Sequence, residues 1–325
     1  MRIIIPNTCY PDNFEDNVSF TLRKMGHEVL TMHKPLRILG DKGRHFIQLA
    51  EDKLFPNRFT LQEKWLLNVF KSFKPQLVLC LTQTLKEEVL LELKNHNIIT
   101  VCWWGDTAAN MTKQGLLCYG WDFIYIKDKF AANKLRSLDL NAYYLPEAMN
   151  PDWHKWCFNE IDNSILFAGN TYDYRHYLIR KLLQTNKYDI KLVGNRPPRW
   201  ADDRVKAVYQ NKYIVKEEKS LWFGQSLACI NSTAMSEFNS LNCRAFEIAG
   251  AGGLQIMEYR DALEECFEPG KEILIYKSFQ ELNATIEKYQ KDKKASMAIR
   301  QAGHVRALAD HSYEKRLQFI LKAIV

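Results

Sequence analysis

An arginine and a glutamate stand three residues apart in a segment that is otherwise small and apolar. Arg244 and Glu247 lie within residues 242–256, where the helical pattern stops at a glycine pair and a strand follows. Because residues three apart share one face of a helix, a guanidinium would stand beside a carboxylate. Such a pair suits a phosphate and a sugar hydroxyl of one nucleotide. A buried ion pair that caps the helix would use the same residues, and their chemistry alone does not separate the two interpretations.

The composition predicts a globular protein with room for two domains. The chain has 325 residues, of which 46% are hydrophobic and 26% charged. A net charge of +7 suits an anionic ligand without requiring nucleic acid. The eight cysteines form no Cys-x-x-Cys pair, which favours reduced thiols of a cytoplasmic protein over disulfides or zinc. No apolar run approaches the ~18 residues of a membrane span, and the N-terminal one is too short for a signal peptide.

Short β-branched runs alternate with helical patterns along both halves of the chain. The predicted strands fall at residues 2–5, 29–32, 77–81, 98–102, 123–126, 142–145, 165–168, 190–193, 227–231 and 273–276. Such alternation indicates parallel sheets, so we predict two successive doubly wound α/β domains. Pro146 and Pro151 mark the boundary, which gives a first domain over residues 1–150. Capping-box patterns at Thr84 and Ser278 predict helix starts.

Polar residues that follow strands are the binding candidates, because ligands bind at the carboxyl ends of strands in such sheets. In the second domain, backbone amides and an arginine at a helix start suit a phosphate, and Asn side chains suit a base or sugar. Ordinary turns and loops remain the alternative for each position. With the neighbours of the Arg–Glu pair, the predicted donor-binding set is Gly169, Asn170, Arg175, Asn195, Arg196, Asn231, Asn242, Arg244, Glu247 and Gly252.

The first domain carries the candidates for an acceptor and a base. Trp103 and Trp104 would form a platform for a sugar ring, and Asp106 could act as a general base. Asp12 and Asp16, after the first strand, are rival bases. A tryptophan pair packed in the core, with Asp106 capping a helix, is the alternative. We predict no metal, because no Asp-x-Asp motif or histidine spacing suggests one.

An ordered set of motifs between residues 220 and 320 resembles the CgeB-like (spore-maturation-type) glycosyltransferases. The motifs are Asn242-x-Arg244-x-Phe246-Glu247-Ile248, Gly252-Gly253, Phe267-Glu268-Pro269-Gly270, Ile299-Arg300-x-Ala302-Gly303 and His311-Ser312-Tyr313-x-x-Arg316. In the first half, Trp103-Trp104-Gly105-Asp106 and Tyr144-Leu145-Pro146-Glu147-Ala148 fit more loosely.

The resemblance implies the GT-B fold, in which two Rossmann-like domains face each other across a cleft. It implies that residues 151–312 hold a nucleotide-sugar donor, with Glu247 at the ribose, and that a C-terminal helix at residues 313–325 packs back on the first domain. The first glutamate of the E-x7-E pattern of related transferases would fall at position 239. This chain has Asn239 there, with Glu237 nearby.

We therefore predict a metal-independent hexosyl- or pentosyltransferase whose co-substrate is a nucleoside-diphosphate sugar, with no further cofactor. The acceptor stays open between a glycan, a protein, a small molecule and modified DNA, and the oligomeric state is likewise open. One alternative is a non-catalytic protein that binds a nucleotide sugar or polysaccharide. The other is a transferase that glycosylates modified DNA bases, which the basic segment at residues 34–58 suggests.

Overall fold

The computed structural model describes residues 1–32, 54, 58–111, 115–157 and 160–324. The basic segment at residues 34–58 lies almost entirely outside them. The chain forms two compact units. Unit 1 comprises Met1–Trp104, Met111–Tyr125 and Leu135–Tyr143, and unit 2 comprises Gly105–Asn110, Ile126–Lys134 and Tyr144–Val325.

The first sheet has six strands in the order β2-β1-β3-β4-β5-β6. Its strands are β1 (Arg2–Thr8), β2 (Glu28–Met32), β3 (Leu77–Cys80), β4 (Ile99–Trp104), β5 (Phe123–Ile126) and β6 (Ala142–Tyr144). The helices that accompany it are α1 (Phe14–Lys24), α2 (Leu61–Phe73), α3 (Glu87–Asn95) and α4 (Lys129–Arg136), with a 3-10 turn at Ala108–Asn110. β1 pairs in parallel with β2 and β3, and β3 with β4. Helices cover both faces of such a sheet, and its central strand β3 is accordingly buried and apolar along its whole length.

The second sheet has five strands in the order β11-β10-β9-β7-β8, and all four pairings are parallel. Its strands are β7 (Ser164–Ala168), β8 (Asp189–Val193), β9 (Ala228–Asn231), β10 (Gln255–Glu258) and β11 (Leu274–Tyr276). The helices of this half are α5 (Asp173–Gln184), α6 (Asp203–Ala207), α7 (Glu217–Gln225), α8 (Cys243–Gly250), α9 (Ala262–Cys266), α10 (Phe279–Lys291), α11 (Lys293–Asp310) and α12 (Tyr313–Ile324). None of the helices in the described residues is long and apolar enough to cross a lipid bilayer.

In each sheet, the strands that follow the first strand in sequence lie on both sides of it. β1 lies between β2 and β3, and β7 lies between β8 and β9. The connections from the first strand and from the third therefore diverge to opposite sides, which opens a crevice at the carboxyl ends of these two strands. The crevice of unit 2 is bordered by the residues that follow β7 and β9.

One of the two predicted capping boxes is confirmed in part, and the other is wrong. Ser278 accepts a hydrogen bond from the backbone N–H of Glu281 at the start of α10, at 3.1 Å. Thr84 does not cap α3, which begins at Glu87 with Lys86 as its N-cap. The backbone N–H of Lys86 instead donates to the carboxylate of Glu63 in α2, at 2.7 Å, so a tertiary contact replaces the local cap.

The C-terminal segment is tied to residues 146–149, which also belong to unit 2. The backbone of Met149 accepts from Tyr313 N at 3.0 Å and donates to the His311 carbonyl at 2.9 Å. Arg316 donates to the Pro146 carbonyl at 3.1 Å. Return of α12 to the first domain stays a prediction, as do the domain limits at residues 150 and 312.

Arg300, on α11, fastens several backbone segments of unit 2. Its side chain is buried, and the guanidinium donates to the carbonyls of Gly224, Gly252, Ser226 and Leu227 at 2.6–3.1 Å. Burial is the main reason that its pKa falls to about 10, so it stays charged at neutral pH. Because these carbonyls end α7 and α8 or enter β9, Arg300 satisfies acceptors that have no ladder partner.

We expect Arg300→Met to lower the free energy of unfolding by about 3 kcal/mol or more, because it leaves several buried carbonyls without donors. Urea denaturation at pH 7 measures this. The matched control is Arg204→Met, since Arg204 is exposed and pairs with Asp202; it should unfold at the wild-type urea concentration. Equal midpoints for the two variants would contradict the role given to Arg300.

Candidate functional site

Glu247 lies in the middle of α8 and is buried, with 1% of its surface exposed. The helix begins where the Asn242 side chain accepts from the backbone N–H of Ala245, at 3.2 Å. The Oε1 atom of Glu247 accepts from the ammonium group of Lys219, at 2.9 Å. Its Oε2 atom has no hydrogen-bond partner among the described residues. A buried acceptor with spare capacity is unusual in a folded protein and points to a missing donor.

Three nitrogen-bearing side chains surround this carboxylate. His154 Nε2 is 3.9 Å from Oε1, and Arg244 Nε is 3.9 Å from Oε2. The backbone N–H of Asn150 donates to His154 Nδ1 at 3.1 Å, so the proton of a neutral imidazole is on Nε2. Burial raises the pKa of Glu247, but Lys219, His154 and Arg244 outweigh burial and lower it to about 2. The carboxylate is therefore charged at every physiological pH.

Arg244 reaches from α8 to the carboxyl end of β7. Its guanidinium donates to the carbonyl of Ala168, and a fifth of its side chain is exposed. Gly169 follows β7 with a φ of +115°. A Cβ at this position would overlap Arg244 and lie 3.1 Å from Arg175 Nη1. The glycine therefore provides both the backbone turn and the space that these guanidinium groups occupy.

Arg175 is turned toward the backbone of the same loops. Its side chain is buried and donates to the carbonyls of Asn170 at 2.6 Å and Ser232 at 2.5 Å, and to the Ser232 hydroxyl at 3.0 Å. Burial first, and then repulsion from Arg244, lower its pKa to about 10. Arg175 thus fixes the residues after β7 and β9 in place, whereas its predicted contact with a diphosphate stays a prediction.

The loops after β7 and β8 touch each other. Gly194 has a φ of +114°, and a Cβ there would lie 2.9 Å from the Cα of Gly169. The Asn195 amide donates to the side-chain oxygen of Asn170, at 2.5 Å. Asn170, Asn195 and Arg196 are exposed. The structure therefore brings these predicted donor-binding residues to the carboxyl edge of the second sheet.

Two other members of the predicted donor set bind each other. Asn231, at the end of β9, and Asn242 exchange amide hydrogen bonds of 3.0 and 3.1 Å. Gly252 lies beyond the other end of α8 with a φ of +73°, and a Cβ there would overlap the Trp156 ring. Packing explains this glycine, and the structure gives it no contact with the Glu247 site.

The aromatic candidates in the first half form part of the core. Trp103 and Trp104 belong to β4 and are buried. Trp103 packs edge-on against Phe14, with ring centroids 4.8 Å apart. Asp106 accepts from the backbone N–H of Thr107 and from the Asn110 amide, at 2.7 and 2.8 Å. These contacts match the alternative of a packed tryptophan pair and a capping aspartate; the acceptor and base roles stay predictions.

Asp12 and Asp16 lie at the carboxyl end of β1, beside the crevice of the first sheet. The backbone N–H of Asp12 donates to Asp16 at 2.9 Å, and Asn17 donates to Asp12 at 3.1 Å. Their neighbour Glu15, which the sequence analysis missed, is buried and accepts from the Thr82 hydroxyl, at 2.7 Å. Burial raises the pKa of Glu15.

Sequence reasoning also missed two of the three partners of Glu247. Lys219 and His154 lie far from it in the chain, and neither stands in a motif that points to a carboxylate. Asn239, at the position of the first E-x7-E glutamate, and the nearby Glu237 make different contacts. Asn239 accepts from the backbone N–H of Ala262 at 2.9 Å, whereas the carboxylate of Glu237 pairs with Lys127.

Lys127 also faces a second buried carboxylate, at Glu147. The ammonium is 3.8 Å from Glu147 Oε2, which accepts from the backbone N–H of Cys243 at 3.1 Å. Burial raises the pKa of Glu147 to about 7, while Lys127 opposes the rise and Glu237 and Glu247 add to it. The acid is therefore partly protonated at neutral pH.

We expect Glu147 to make a contribution to stability that falls as pH rises from about 4.5 to 7, because the folded side chain holds a proton that the unfolded chain has released. Glu147→Gln keeps the bond from Cys243 and should reduce this fall by roughly 1–3 kcal/mol. Urea denaturation at pH 5, 6, 7 and 8 measures the slope. Glu287→Gln, at an exposed carboxylate whose pKa is lowered, should leave the slope unchanged. An unaltered slope in Glu147→Gln would refute the prediction.

Comparisons with known proteins agree with this architecture. Residues 175–322 match the model of a family described as glycosyl transferase-like. None of the curated proteins matches the sequence. Sucrose-phosphate synthase from Thermosynechococcus elongatus is similar over 99% of this chain and 97% of its own, with 13% identity and a TM-score of 0.71. HepE from Anabaena, in complex with UDP-glucose, is similar over 100% and 99%, with 11% identity and a TM-score of 0.69.

A glycosyltransferase from Rickettsia africae ESF-5 is similar over 99% of this chain and 97% of its own, with 13% identity and a TM-score of 0.67. At such low identity these likenesses show the fold, and they confirm the predicted fold class. The chain therefore has the GT-B fold, and its residues 175–322 match the model of a glycosyl transferase-like family.

Proposed function

We propose that this protein is a glycosyltransferase of the CgeB-like type that moves a sugar from a nucleoside-diphosphate sugar to an acceptor hydroxyl. One observation carries the proposal. Glu247 is buried and charged beside the crevice of the second sheet, and its Oε2 lacks a donor among the described residues. A buried acceptor without a partner costs about 1–3 kcal/mol, which a bound ligand would recover.

A ribose is the ligand group that fits this carboxylate best. Its vicinal hydroxyls are donors, and a charged acceptor binds hydroxyls about twice as strongly as a neutral one. The negatively charged diphosphate of the same donor would be repelled by Glu247 unless a cation lay between the two groups. Arg244 has that position, because its side chain runs from Glu247 to the residues after β7.

The diphosphate would lie at the carboxyl end of β7. Gly169 leaves room there for the guanidinium of Arg244, which a phosphate could contact, and the start of α5 follows a few residues later. Preorganised donors at this point would stabilise the charge that develops on the leaving diphosphate. Arg175 would act through the loop that it fixes, and Asn195 and Arg196 would flank the base. This arrangement requires no bound metal.

Two further findings support the proposal. The similar HepE structure contains UDP-glucose, which makes a uridine nucleotide the first donor to test. All eight cysteines are free thiols, in line with the predicted cytoplasmic location. The transferred group, hexosyl or pentosyl, follows from the donor that binds.

The acceptor would bind at the first unit. Asp12 and Asp16 stand at the carboxyl end of β1, where the first sheet opens its own crevice. A carboxylate there could remove the proton of an acceptor hydroxyl if the reaction inverts configuration. Asp106 is a weaker candidate, because both of its oxygens accept local hydrogen bonds.

We expect Glu247→Ala and Arg244→Ala each to weaken donor binding at least 10-fold, because each removes a charged contact worth about 1.5–3 kcal/mol. Isothermal titration with UDP, GDP, ADP and CDP measures the affinities, after a thermal-shift screen of the corresponding nucleotide sugars. Glu287→Ala and Arg204→Ala are the matched controls on the exposed surface. If both Glu247→Ala and Arg244→Ala bound nucleotides with wild-type affinity, the assignment of the donor site would be wrong.

Release of free nucleoside diphosphate separates an enzyme from a binding protein. We expect the wild-type protein to release it from its nucleotide sugar, at least slowly by transfer to water, and Arg244→Ala to release it more slowly. A protein that binds the donor tightly and never releases the diphosphate, with any acceptor offered, would be the non-catalytic alternative.

We expect Asp12→Asn or Asp16→Asn to lower kcat by 10²–10⁴, the usual contribution of a general base, while donor affinity stays unchanged. Asp106→Asn should lower kcat less than 10-fold. Steady-state kinetics with the donor and acceptor found above gives both quantities. Wild-type kcat in Asp12→Asn and Asp16→Asn would remove the carboxylate base from the mechanism.

A further inference from the structure

We propose that Lys219 is a positioning residue that aims the carboxylate of Glu247 and thereby makes the site select nucleotides that carry ribose hydroxyls. This inference rests on the proposed function of Glu247. It assigns a role to a residue that lies in α7, outside the motifs of the sequence analysis.

The contact between the two residues is direct and buried. The Lys219 ammonium lies 2.9 Å from Glu247 Oε1, and the two side chains are 9% and 2% exposed. A lysine is rarely buried without a paired charge, so this ion pair accounts for its position. Because the contact uses only Oε1, the hydrogen-bonding capacity of Oε2 stays unused among the described residues.

A second group faces the same oxygen from another segment. His154 Nε2 is 3.9 Å from Oε1. The next residue of α7, Ser220, ties the two segments together, since its hydroxyl donates to the Trp153 carbonyl at 2.9 Å and accepts from Lys155 N at 3.0 Å. Lys219 and His154 therefore approach Glu247 from a single hydrogen-bonded unit.

This arrangement fixes the plane of the carboxylate. With Oε1 held by Lys219, rotation about the last side-chain bond would break a charged hydrogen bond in a buried site. Oε2 consequently stays on the side of Arg244, whose Nε is 3.9 Å away. A carboxylate held in one orientation binds a hydroxyl without losing rotational freedom, which improves both affinity and selectivity.

The chemical consequence is discrimination at the sugar of the nucleotide. A 2′,3′-dideoxynucleotide offers no hydroxyl, so its binding would leave Oε2 charged, buried and unpaired. Sites built to bind a hydroxyl reject analogues that lack it. We expect the wild-type protein to bind ribonucleoside diphosphates roughly 10- to 100-fold more tightly than the dideoxy counterparts.

The experiment measures this ratio by isothermal titration with UDP, GDP and ADP, each beside its 2′,3′-dideoxy counterpart. Lys219→Met should reduce the ratio to below about 3, mainly by weakening binding of the ribonucleotide. Lys219→Arg keeps the charge and should retain most of the preference. Circular dichroism and thermal unfolding establish that each variant is folded.

A double variant separates positioning from simple structural support. Lys219→Met removes the nearest positive charge from the buried carboxylate of Glu247. Lys219→Met combined with Glu247→Gln removes both the positive and the negative charge. If Lys219 acts through Glu247, its substitution costs at least 10-fold in ribonucleotide affinity in the wild type and less than about 3-fold in the Glu247→Gln background. Equal costs in both backgrounds would overturn the proposal.

The outcomes distinguish this inference from the proposed function. Suppose that Lys219→Met keeps the wild-type preference for ribonucleotides over dideoxynucleotides while Glu247→Gln loses it. That result would refute the role of Lys219 and leave the donor-site assignment intact. A wild-type ratio in Glu247→Gln itself would refute the ribose contact of Glu247 and the role of Lys219, whereas the release of nucleoside diphosphate tests the proposed transferase separately.

Discussion

A charged carboxylate in the interior of the second unit is the constraint on which the site depends. Moving an ion out of water costs several kcal/mol, and only close opposite charges and hydrogen bonds can compensate. Glu247 is compensated by Lys219, His154 and Arg244. Each of the three comes from a different segment, so α7, the chain around residue 154 and α8 must all be in place before the carboxylate can be charged there.

Arginines and glycines perform the complementary task of fastening the loops around this site. Strand ends leave carbonyls without ladder partners, and Arg175 and Arg300 donate to them from buried positions. Glycines provide the space that such contacts need, as Gly169 does for Arg244. The loops at the carboxyl edge of the second sheet are therefore held by side chains, which suits a site that must not rearrange when a ligand binds.

Much of the motif pattern that suggested a family therefore reflects packing. Gly303 lies where a Cβ would come within 2.5 Å of the Glu272 carbonyl, and His311 bonds the Cys266 carbonyl at 2.7 Å. Such residues predict a fold well, since their geometry is tied to the backbone. They say less about a reaction, and the proposed donor site rests on two of the motif residues, Arg244 and Glu247.

The sequence by itself determined the alternation of strands and helices, the doubly wound class and the common helix face of Arg244 and Glu247, because these follow from local periodicity. It also determined the Ser278 cap, which is a contact between neighbours in the chain. Only the tertiary structure decided that Lys219 and His154 surround Glu247, that Glu63 replaces Thr84 at α3, and that Trp103 packs in the core. Those contacts join residues far apart in the chain, and which partners meet depends on how whole elements pack.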